Sequence, residues 1–155
     1  MRSEIGTMKY IAEKTTIPIP RLHGYSVTCD NILGLPFMLV EYIEGRSFRD
    51  ATLEDCDSDE RKIKRLSTQL ASIYFQLSLQ QFDRIGAFTL DENDDHWVFN
   101  SNRPLTVDVN EQEVGGLDIC RYLPPHQSFT SVINYVFFIV KLIFNDFHRR
   151  RDYCR

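Results

Sequence analysis

Ile63, Leu66, Leu70, Ile73, Tyr74 and Leu77 recur three and four residues apart, the spacing that lines side chains along one face of an α-helix. Lys62, Lys64, Arg65 and Gln69 fall off that stripe. The segment is therefore amphipathic, and it predicts a long helix from about Ser58 to Gln81 that buries one face. Asp57, three residues ahead of Glu60, has the form of a capping box for its start.

The remaining elements follow from similar patterns. Glu4, Ile5, Met8, Ile11 and Ala12 share one helical face, which predicts a first helix from about Ser3 to Lys14 with Glu4 on its apolar side. Pro18 and Pro20, two apart in TTIPIPRLHGY, exclude helix and enforce an extended connector. A strand from about Leu22 to Val27, the turn-forming loop CDNILGLP and a second strand FMLVEYI make a hairpin. Further on, IGAF and WVF are expected to pair across the polar loop DENDDH, with PLTV extended before Gly115 and Gly116. A last helix from near Ser128 is expected to carry Phe129, Val132, Ile133, Val136, Phe137, Val140 and Phe144 inward. In its second half it is apolar over most of its circumference, as helices in the middle of a larger helical layer are.

Composition excludes several classes. A 43% hydrophobic chain with 12% aromatic residues has material for a core and is not disordered as a whole. A net charge of -4 offers no broad basic surface for nucleic acid. Cys29, Cys56, Cys120 and Cys154 form no C-x-x-C pair, so neither zinc nor a disulfide framework is indicated and reduced, cytoplasmic thiols are expected. The N-terminus lacks the apolar core of a secretory signal. The run VFFIV, Lys141, LIF is too short for a membrane span, which needs about twenty residues. His23, Trp97 and His126 read as structural, since no partner motif accompanies them.

In order, the segments SEIGTMKYIAEKTTIPIPRLHGY, GLPFMLVEYIEGRSF, QLASIYFQLSLQQFDRIGAF, RPLT and SFTSVINY resemble the aminoglycoside phosphotransferase family, a branch of the protein-kinase-like fold, and especially its fungal members. The resemblance runs from about Ser3 to Tyr135. It implies an α+β chain that is one partial kinase-like domain over 1–155: the end of the small lobe with two strands, the hinge and the first helices of the large lobe. Glu4 would then match the helix glutamate that pairs with the ATP-binding lysine. Val40 would stand at the gatekeeper position, and the backbone of Glu41, Tyr42 and Ile43 would form the hinge that meets adenine. ATP and Mg²⁺ enter through this resemblance alone.

The same resemblance argues against catalysis by this chain. Phosphoryl transfer needs a glycine-rich loop, a strand lysine, a catalytic aspartate with its asparagine and a metal-binding aspartate, and none of these can be placed, so no catalytic or metal residue is assigned. HRRRD, His148 to Asp152, has the letters of a catalytic loop but continues a helical pattern without a strand break. The expectation is a fragment or degenerate member without activity of its own, truncated at both ends. An alternative is a pseudokinase-like module that meets a protein partner through its exposed small-lobe face. A lone two-stranded sheet exposes an edge and an apolar face, which predicts poor solubility.

Overall fold

The computed structural model describes residues 1–45, 60–99, 102–116, 119–121 and 123–153. Asp57, expected as a cap, and the side chains of HRRRD lie outside the described residues. The elements in chain order are α1 (Arg2–Lys14), β1 (Leu22–Ser26), β2 (Phe37–Val40), α2 (Glu60–Ser78), β3 (Thr89–Leu90), β4 (Trp97–Val98), α3 (Val107–Val114), a 3-10 turn (Ile119–Arg121) and α4 (Val132–Tyr153). Helices and short antiparallel hairpins make this an α+β chain. It divides into two compact units: Met1–Thr7 with Phe82–Arg155, and Met8–Gln81.

In the Met8–Gln81 unit, β1 and β2 pair antiparallel, with Tyr25 opposite Met38 and Ser26 opposite Phe37. The register shifts between Leu22 and Gly24, the kind of irregularity that a glycine beside His23 accommodates. Asn31 organises the connecting loop: its Nδ2 donates to the carbonyls of Thr28 (2.7 Å) and Leu35 (2.9 Å), and its Oδ1 accepts from the Leu33 amide. Gly34 takes a left-handed φ of 65° in that turn, where a Cβ would be strained. The second strand ends at Val40, earlier than FMLVEYI suggests.

The other unit is built on a core of Val109, Ile119, Leu123, Phe129, Phe138 and Leu142, with Ile85, Tyr135 and Ile139 packed against it. Phe129 joins two parts of the chain. Its backbone exchanges both hydrogen bonds with Ile85 (2.7 and 2.9 Å), and its ring stacks on Phe138 at 5.6 Å. Thr89 pairs with Val98 and Leu90 with Trp97, so the expected hairpin across DENDDH forms two residues beyond IGAF. Phe82, Phe88, Phe99 and Trp97 make a ladder of tilted and edge-on ring contacts beneath it. Arg2 ties the start of α1 to this hairpin by donating to the carbonyls of Leu90 (3.2 Å) and Asp91 (2.7 Å) and pairing with the Asp94 carboxylate.

Three expectations are corrected. PLTV is extended at Thr106, with φ -118° and ψ 158°, but it leads into a helix that starts at Val107. Thr106 is the N-cap of α3, its hydroxyl accepting from the Val109 amide at 3.2 Å, and Gly115 caps the other end; Asp108 in the first turn and the paired glycines were the signals for this helix. The long stripe on α2 does not bury its face: none of its nineteen residues is buried. In α4 the inward face is also a different one. Phe138 and Leu142 are buried and Tyr135 and Ile139 half-buried, whereas Val132, Ile133, Val136, Phe137, Val140 and Phe144 are exposed. A helix apolar on most sides has no intrinsic preference for one face, so the neighbours α3 and Phe129 select it.

Gly6 lies where a Cβ would meet the Thr89 carbonyl oxygen at 2.8 Å. Alanine is better than glycine in a helix by about 1 kcal/mol, but the obstacle is backbone, and forcing it aside costs about 1–3 kcal/mol. Gly6→Ala is therefore expected to lower stability in chemical denaturation, whereas Gly24→Ala, facing open space, leaves it nearly unchanged. A Gly6→Ala chain more stable than the parent would show that the contact is slack.

Candidate binding surfaces

The residues singled out for the hinge are accessible. Val40, at the end of β2, is 43% exposed and Tyr42 is 85% exposed, with Ile43 also exposed. Glu41 holds the local backbone in place, because its amide donates to the Arg21 carbonyl at 2.8 Å while its Oε2 accepts from the Arg21 amide at 3.0 Å. It thereby clamps the end of the proline connector to the end of the strand. Glu4 sits in the first turn of α1 and is exposed, not turned to the apolar side. A carboxylate there is favoured by the helix dipole in contact with water. Glu4 belongs to one unit and residues 40–43 to the other.

Several concavities are formed within single units. In the Met8–Gln81 unit a groove of about 450 Å³ runs between α1 and the proline connector, with Met8, Ala12, Ile17 and Ile19 among its walls. In the other unit a cleft of about 470 Å³ lies beside the first turns of α4, between Gln127, Ser128 and Asn134 and the rings of Phe137 and Phe138, with Lys141 at its edge. Among the described residues no group of three His, Cys, Asp or Glu side chains could hold a metal ion. Cys29 and Cys120 are free and exposed.

Charge is organised locally. The Arg84 guanidinium reaches both oxygens of Asp83, at 3.0 and 2.8 Å, and these hydrogen bonds hold the Asp83 carboxyl below its ordinary range. The Glu13 carboxylate beside Lys14 raises the lysine by hydrogen bonding and by its charge. Both pairs are exposed, so they tune surface charge more than they hold the fold.

Two helices carry exposed apolar residues. On α2, Tyr74 is 70% exposed, and Ile63, Leu70, Phe75 and Leu77 are exposed with it. On α4, Ile133, Val136, Phe137, Val140 and Phe144 form a continuous exposed stripe at three- and four-residue spacing. Polar ties hold the C-terminal end of α2: Gln76 Oε1 accepts from both the amide (2.9 Å) and the hydroxyl (3.0 Å) of Thr16, and the Tyr10 hydroxyl donates to Gln80. Sequence reasoning missed Gln76 and Gln80, which stand off the hydrophobic stripe. No helix among the described residues is long and apolar enough to cross a membrane.

Fold and surfaces together describe an α+β chain with exposed apolar residues along two of its helices. The chain is similar to a protein of Clavispora lusitaniae named Altered inheritance of mitochondria protein 9, mitochondrial, with 23% identity over 86% of this chain and 25% of the relative. The protein of the same name from Meyerozyma guilliermondii is 28% identical over 60% of this chain and 15% of the relative. A subtelomeric hrmA-associated cluster protein of Aspergillus fumigatus is 31% identical over 46% of this chain and 13% of the relative. The chain thus spans at most about a quarter of the length of these curated relatives. No family model matches the chain, and no solved structure matches it.

These relatives overturn the identification drawn from the hinge. They are named for mitochondria and for a fungal gene cluster, and none of the three is named as a phosphotransferase. The relatives therefore support neither the assignment to the aminoglycoside phosphotransferase family, nor the chain as a fragment or pseudokinase-like relative of it, nor the ATP binding that this resemblance implied. The segments behind that assignment are strand and helix patterns that a mixed fold can produce without that family's chemistry. The cytoplasmic expectation is corrected likewise, because relatives are named as mitochondrial. Unpaired cysteines do not distinguish between reducing compartments.

Gln76→Ala is expected to release the C-terminal end of α2 by removing the two bonds to Thr16, at a cost of about 0.5–1.5 kcal/mol per bond. Native-state amide exchange would read this as faster exchange in α2 with little change in α4. Unchanged α2 protection would mean that these bonds do not anchor the helix.

Proposed function

We propose that the chain is an assembly segment of a mitochondrion-associated protein, with its exposed apolar helix faces covered by further polypeptide of the kind that makes up the rest of its relatives' length. The observation that carries this reading is α4. Helices that are apolar on most sides belong in the middle of a helical layer, yet this one buries only one face and leaves Ile133 and Phe137 67% and 62% exposed. Covering a side chain of this size contributes about 1.5–3 kcal/mol. A stripe of five can therefore offset the ordering cost of association.

Polypeptide is favoured as the cover because three quarters or more of each relative lies beyond the matched region. Lys141 is the only charged residue from 132 to 145, so a second apolar helix would meet little charge to desolvate. The mitochondrial setting rests on the relatives' names.

A photo-crosslinking residue placed at Phe137, in the chain incubated with fungal mitochondrial extract, tests the proposal. Adducts are expected with polypeptide homologous to the unmatched part of the relatives, and they should vanish with Val140→Glu. The same residue at exposed Glu111 should give no such adduct. No adduct, or adducts only with unrelated proteins, would overturn the reading.

A further inference from the structure

The groove between α1 and the proline connector plays no part in that assembly, and it has the attributes of a small-molecule site. Its volume of about 450 Å³ falls within the range of about 300–1,000 Å³ typical of ligand pockets, which combine apolar walls with a few placed polar groups. Met8 and Ala12 supply the helix wall, and Ile17 and Ile19 the wall opposite. Pro18 and Pro20 also line it. Their rings fix φ on that side, and the Glu41 clamp on both backbone groups of Arg21 holds the end of the connector in place. The walls are thus ordered before any ligand arrives, which lowers the cost of binding.

The charges on the groove decide which ligand fits. Lys9 and Arg21 are the charged residues in its lining, which contains no Asp or Glu. The Lys9 ammonium rests over the Tyr25 ring, 5.1 Å from its centroid. The Glu41 carboxylate accepts from the Arg21 amide and is not part of the lining. A lining that combines apolar walls with two cationic residues and no carboxylate is complementary to a molecule with an apolar body and one anionic group.

We infer that this groove binds an amphipathic monocarboxylate, its aliphatic body lying against Met8, Ala12, Ile17 and Ile19 and its carboxylate meeting Arg21 with Lys9 nearby. A guanidinium presents a planar fork that matches a carboxylate in two parallel hydrogen bonds. The inference stands apart from the assembly role, since none of the residues it uses belongs to the exposed faces of α2 or α4.

Calorimetric titration of the full chain with decanoate, and with decanol as the neutral equivalent, tests it. Decanoate is expected to bind saturably and more tightly than decanol. Arg21→Gln should weaken decanoate by about tenfold or more, the equivalent of one lost charge-assisted hydrogen bond, and leave decanol unchanged. Ala12→Trp, which fills the groove from a solvent-accessible position, should abolish binding of both, while Val140→Glu should affect neither. Circular dichroism establishes that each variant is folded, and if Arg21→Gln is not, Lys9→Gln takes its place with the same expected loss for decanoate alone. Equal affinity for decanol, no saturable binding, or binding undisturbed by Ala12→Trp would each overturn the inference.

Discussion

The stacking of Phe129 on Phe138 holds one unit together, because Phe129 makes two connections at once. Its backbone pairs with Ile85, which brings in the segment leading to the β3–β4 hairpin, and its ring meets α4. Around this contact Val109 from α3, Ile119 and Leu123 close the core, and Leu142 completes it from α4. Gln112 adds a polar link: it is buried, and its Nε2 donates to the Leu142 carbonyl at 2.8 Å while its Oε1 accepts from Asn145. A buried amide satisfied at both ends fixes the register of α3 on α4 more narrowly than apolar packing can. That register determines which side of α4 is left outside.

The other unit is organised differently. Its connections are largely hydrogen bonds and strand pairing: the β1–β2 ladder, the Asn31 loop, the Glu41–Arg21 clamp and the Gln76–Thr16 tie. The core cluster draws none of its members from this unit. The proline connector gains stiffness from its rings instead of from burial, and that is why a concavity persists beside α1. The molecule thus offers two kinds of surface, a groove with Lys9 and Arg21 in its lining and helix faces with exposed apolar residues.

The relatives change what the VEYIEG segment means. Taken with Glu4, it suggested a nucleotide crevice, but Glu4 is a solvated first-turn acid and Glu41 is a backbone clamp in the structure. Strand ends followed by glycine are common wherever a chain leaves a sheet, so a short segment of this form carries little information about chemistry. The mitochondrial naming of relatives that extend well beyond this chain directs attention to how its apolar faces are covered.

Local patterns were enough to locate α1, α2, the β1–β2 hairpin and the approximate extent of α4. Each of these depends on periodicity, on proline geometry or on turn residues within a few positions of one another. Helix α3 was missed because its first residue, Val107, read as the end of the extended piece PLTV, although Thr106, Asp108 and Gly115 carried the capping signal. Only the tertiary structure decided that Phe138 and Leu142, and not Val136 and Val140, face inward, that the α2 stripe stays exposed and that Glu4 meets water. Amphipathicity states that a face can be buried; whether it is depends on an apolar surface brought close by residues far away in the chain.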